Sequence, residues 1–96
     1  MITVSKEEMQ ARLEKFNKTQ AKVKRDRTYI PLEIDESTDT CSSSWLYYCL
    51  ALNLVNKPSA RERESTRENL KKENSALYEQ VLPLIQQIEN KHFSAL

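Results

Sequence analysis

Glycine is absent from all 96 residues, where average usage would place about seven. Glycine supplies left-handed turns and lets the backbone come close to phosphate. Its absence argues against hairpin-rich β folds and excludes glycine-rich phosphate loops. Histidine is nearly missing too, with His92 alone, and cysteine stops at Cys41 and Cys49. On one helix those two thiols would sit about 12 Å apart, beyond disulfide reach. A zinc site would have to gather Cys41, Cys49, His92 and a carboxylate at no recognisable spacing. A thiol nucleophile would depend on His92 near the C-terminus. Glu33, Asp35, Glu36 and Asp39 lack the glycine and ligand spacing of a calcium loop. No catalytic set, metal or cofactor is expected.

Long apolar runs are lacking as well. The densest, Trp45 to Leu52, is far short of the roughly 20 residues that cross a bilayer, so no membrane partner is expected. The opening residues, Met1 to Glu8, are acidic where a secretory signal is basic. A cytoplasmic protein with reduced thiols is the expectation. Excess charge of one sign is also missing: 15 basic against 14 acidic residues leave a net charge of +1. Such balance gives no global pull toward nucleic acid.

What is present reads as helix. Ser5 with Glu8 forms a capping-box pattern, and Met9, Leu13, Phe16 and Val23 then fall on one helical face. Acids open that segment and Lys22, Lys24, Arg25 and Arg27 close it, as the helix dipole favours. The spacing predicts a first helix over about 5–26. A connector over 28–40 follows, in which Pro31 holds Ile30 extended. It is read as draping Tyr29, Ile30, Leu32 and Ile34 over the helical core, with a short edge strand as the alternative. Residues 41–56 are apolar on nearly every face, the mark of a buried central helix. Ser59 with Glu62, just after Pro58, opens a third helix. It is expected to run over 59–81 and to kink or break near Pro83, with a fourth over 83–93. The expected fold is all-α, a single three- to four-helix bundle whose third helix is long, charged and partly exposed.

Four surfaces stand out. Leu70, Asn74, Leu77, Val81, Leu84 and Ile88 alternate spacings of four and three, a heptad seam with Asn at a position that fixes two-stranded pairing. The seam reads first as the core face of a bundle helix and second as a homodimer contact through Leu70, Asn74, Leu77 and Val81. Arg61, Arg63 and Arg67 precede it as in a basic zipper, but Glu62, Glu64 and Glu68 interleave with them and would repel phosphate. Lys18, Lys22, Lys24, Arg25 and Arg27 make the densest basic cluster, a candidate for phosphate contact. Trp45, Tyr47 and Tyr48 cannot all face one core, and Tyr47 is the expected outward aromatic.

With no catalytic set, these features suggest a small monomeric or homodimeric protein that binds another protein as an adaptor, inhibitor or regulatory subunit. An inhibitor encoded by a phage or mobile element is one form this expectation takes. Its expected contacts are Tyr29, Ile30, Leu32, Tyr47, Arg61, Arg63 and Arg67. The rival is a nucleic-acid-binding regulator using the basic end of the first helix or the arginines of the third.

Overall fold

A computed structural model describes residues 5–93. Four helices follow in order: α1, Lys6–Ala21; α2, Ser43–Val55; α3, Ala60–Glu73; and α4, Ser75–Phe93. Among the described residues there is no strand, and the connector is extended without pairing to a ladder.

Serine starts three of the helices. The hydroxyls of Ser5, Ser42 and Ser59 accept from the N–H groups of Glu8, Trp45 and Glu62 at 3.2, 3.1 and 3.2 Å. Each satisfies one of the donors that a helix N-terminus leaves free. α4 is capped differently. Asn74 ends α3 with its N–H on the Leu70 carbonyl, and its side-chain oxygen accepts from Leu77 N–H at 3.1 Å. The break between the last two helices therefore falls at Asn74 and not at Pro83.

Pro83 lies inside α4. The carbonyl it deprives of a partner belongs to Glu79, and both residues are exposed, so water can satisfy that oxygen. The seam is corrected by the same observation. Asn74 is a cap, not a register-fixing core residue, while Val81 is 0% exposed and Ile88 is buried beside it. Leu70, Leu77 and Leu84 pack on that core. The apolar positions of the stripe form the inner face of the bundle.

The core is formed where α4 meets the second half of α2. Ala51, Leu52, Leu54 and Val55 interlock with Val81, Ile85 and Ile88, and Ile30 of the connector closes the cluster. α3 lies along α4 and buries no residue of its own. α2 is central only in this C-terminal half. From Trp45 to Leu50 no side chain is buried, and Leu46 is 56% exposed.

α1 departs furthest from the expected bundle. It is shorter than the basic run suggested, ending at Ala21, and comes within packing distance of none of the other helices. Its supports are polar. Asn17 donates to the Leu32 carbonyl at 3.0 Å and accepts from the Tyr29 hydroxyl at 2.8 Å. Lys6 donates to the Glu36 carbonyl at 3.0 Å. The face that should have been buried is only half covered: Met9 and Leu13 are half-buried, while Phe16 is 51% exposed and Val23 is also exposed. The radius of gyration, 14.3 Å, exceeds the roughly 12.5 Å expected of a compact chain of this length.

Candidate functional site: a groove between the first two helices

The segment after α1 is fixed by its arginines, and this creates the groove. α2 has no basic residue in its last turn, so its terminal carbonyls need donors from elsewhere. Arg25 donates to the Asn56 carbonyl and to the Gln20 side-chain oxygen, and Arg27 donates to the Val55 carbonyl at 3.1 Å. Asn56 fastens the next stretch: its amide accepts from Ile30 N–H at 2.9 Å and donates to Ile30 C=O at 2.8 Å. The connector is thereby held against α2, and α1 is held against the connector. An apolar space of about 480 Å³ remains between α1 and α2.

Phe16 and Gln20 form one wall of this groove, Cys49 and Leu52 the other, and Tyr29 and Leu32 line it from the connector. Trp45 and Leu46 lie one helical turn before Cys49, beyond the lining of this space, and Leu46 is exposed. α2 carries no charge over its whole length. Burial pushes the Cys49 thiol up from its usual range, which keeps it in the protonated, weakly nucleophilic form. The groove can receive an apolar side chain but offers no activated group.

A second cleft, of about 690 Å³, lies on the other side of Tyr29. Lys18, Arg25 and Arg27 line it together with Ala21, Val23 and Pro31. The Arg25 guanidinium stands 4.7 Å from the centre of the Tyr29 ring, a cation–π distance. Burial raises the Tyr29 hydroxyl above its usual range despite the Arg25 charge.

The other arginines are committed inside the fold. Glu89 bridges Arg27 and Arg67, each at 3.1 Å, and Arg27 also stands 4.3 Å over the Phe93 ring. Arg63 grips Asp26 with both terminal nitrogens at 2.8 Å. The Asp26 carboxylate also accepts from Ala60 N–H at 3.1 Å, where a helix start favours an anion. Of the sequence candidates, Tyr29 and Leu32 line the groove, while Ile30 and Tyr47 turn toward the core. Arg63 and Arg67 are internal ties; Arg61 is exposed. Lys18, Lys22 and Lys24 are exposed and make no ion pair among the described residues, unlike Arg27.

Phe16 and Cys49 line the groove without being among the candidates the sequence pointed to. Phe16 was assigned to a buried face. An all-apolar α2 next to an α1 stripe was the available signal.

The Asp26–Arg63 pair makes a pH prediction. Arg63's hydrogen bonds hold the Asp26 carboxyl below its ordinary value. A depressed folded-state value means the stabilisation is present above about pH 4 and is lost as pH falls through the lowered value. Asp26→Asn should therefore destabilise the fold at pH 7 and progressively less below about pH 4. Denaturant midpoints of both proteins across pH 2–7 check this, and a constant gap between them would refute the assignment.

No protein-family model matches the chain, and neither a curated protein nor a solved structure does. No described helix is long and apolar enough to cross a membrane.

Proposed function

We propose that this chain is a non-catalytic protein-binding module, an adaptor or regulatory subunit, whose docking surface is the groove between α1 and α2. One observation carries the reading: Phe16 of α1, Tyr29 and Leu32 of the connector, and Cys49 and Leu52 of α2 line a shared space that no described element of the chain fills. Phe16 is 51% exposed and Leu46 56% exposed, on a chain whose buried core is small. Such paired open walls mark a place for another protein's apolar side chains. A helix or extended segment laid there would complete the bundle that α1 fails to join.

Nucleic-acid binding is the weaker reading. Arg27, Arg63 and Arg67 are paired with carboxylates of this chain. The aromatic nearest the basic cluster, Tyr29, has Arg25 over its ring, where a base would need to stack.

A photo-crosslinking residue at position 16 or 46 should trap one discrete partner protein in the native cell. The same residue at Glu64, on the charged side of α3, should not. Loss of the adduct on adding Cys49→Asp would tie capture to the groove. Equal capture from all three positions would overturn the reading.

A further inference from the structure

The geometry points to an acidic segment with apolar anchors as the occupant of this groove, its carboxylates lying along a cationic strip that begins at Lys57 and crosses Tyr29 to Lys18. The inference rests on the docking surface proposed above and names the chemistry of what docks there.

Charge around the two clefts is one-sided. Lys57 lines the groove, Lys18, Arg25 and Arg27 line the cleft beyond Tyr29, and neither lining includes a carboxylate. The other hollows differ: the one along α3 mixes Glu64, Glu68 and Glu89 with Arg63, Arg67 and Lys71, the one beside α1 carries Glu14 and Glu33, and the one at the end of α4 carries a single lysine, Lys91. The chain as a whole is nearly neutral, so this strip is a local separation of charge.

The compensation of these cations differs. Arg27 is neutralised by Glu89. Arg25 is half-buried and bound only to uncharged acceptors, the Gln20 and Asn56 oxygens. Lys18 and Lys57 have no ion-pair partner among the described residues, in contrast to Arg63 on Asp26. A half-buried cation facing neutral dipoles has unused attraction for an anion.

Apolar walls flanked by unpaired cations suit a partner that buries apolar side chains and places acids at their margin. Carboxylates on that margin would speed association and exclude basic competitors. A bare polyanion would match the lysines but leave Phe16 and Cys49 uncovered.

The test uses the full chain carrying Cys41→Ser, so that Cys49 is the single thiol, with four probes. Three are peptides of about four helical turns: one built from Leu and Glu, one with every Glu replaced by Lys, and one with every Leu of the first replaced by Ala. The fourth is a single-stranded DNA of similar length. The Leu–Glu peptide should shift the amide resonances of Phe16, Tyr29, Leu32 and Lys57 and slow alkylation of Cys49. Lys18→Glu with Lys57→Glu should weaken it by roughly tenfold or more. The Ala–Glu peptide should bind more weakly, and the Leu–Lys peptide should leave Cys49 unprotected.

Equal binding of the Leu–Lys peptide at the same residues would overturn the acidic partner while leaving the groove a protein-docking site. Shifts from DNA alone, confined to lysines and leaving Cys49 reactive, would overturn both readings. Failure of all four probes to move groove resonances would overturn the inference, and the crosslinking result then decides the docking reading by itself. Heteronuclear spectra of each variant establish that it is folded before binding is measured.

Discussion

Ile85→Ala should destabilise this protein by about 3 kcal/mol, a large part of its total stability. Ile85 is 1% exposed and sits where α4 meets the second half of α2, between Val81 and Ile88 on the same helix face. Removing three methyl or methylene carbons there loses their transfer free energy and leaves a cavity that rigid helix neighbours fill only in part; such changes cost about 2–5 kcal/mol. A chain of this length is stable by about 5–14 kcal/mol, and a loss of about 3 kcal/mol should lower its melting temperature by roughly 12–24 °C. Leu46→Ala is the internal control. Leu46 is larger than its burial warrants, and its truncation should cost less than about 0.5 kcal/mol. Urea midpoints of the two variants measured side by side check both numbers. If Leu46→Ala proved as costly as Ile85→Ala, the first half of α2 would be packed in solution and the open groove would not exist.

That contrast within one helix shows what the sequence made legible. Helical class followed from missing glycine, and two helix starts from Ser5 and Ser59, because a capping hydroxyl acts over three residues and needs no tertiary context. Where a helix's apolar side chains end up is a long-range matter. Met9, Leu13, Phe16 and Val23 have the spacing of a buried face, but the connector lies between α1 and the rest, and spacing carries no information about that. Asn74 was ambiguous for a related reason: the same side chain can sit at a core position or cap a helix, and the local N–H of Leu77 won. Pro83 was read as a breaker because its lost hydrogen bond was counted and the exposure of Glu79 was not.

The candidate phosphate contacts show the same limit. Arg25 and Arg27 belong to a basic cluster in the sequence, yet in space they serve as the missing C-terminal cap of α2. A helix whose last turn lacks cations attracts guanidinium groups from whichever segment passes its end. Lys18, Lys22 and Lys24, with flexible stems and no such carbonyls in reach, remain at the surface. Basic residues of one run thus divide into arginines held by the fold and lysines left free at the surface.

Asn56→Ala should separate α1 from the bundle without unfolding it. A single amide satisfies both backbone groups of Ile30, at 2.9 and 2.8 Å, in the manner of a neighbouring strand. Ile30 is 7% exposed, so its N–H and C=O have poor access to water once Asn56 is truncated. Two lost hydrogen bonds, with buried groups left unpaired, should cost about 2–3 kcal/mol. The loss is local, because α1 and the connector contribute Ile30 and Ile34 to burial whereas α2 and α4 hold the remaining core. Hydrogen exchange should therefore quicken at Ile30 and through α1 while Val81 and Ile85 keep most of their protection, the pattern of sub-global opening. Asn56→Asp, which keeps the acceptor and removes the donor, should fall between the two proteins. Unchanged exchange at Ile30 in the alanine variant would mean that the connector is held by Ile30's side chain alone. The groove wall formed by α1 would then owe nothing to the Asn56 clamp.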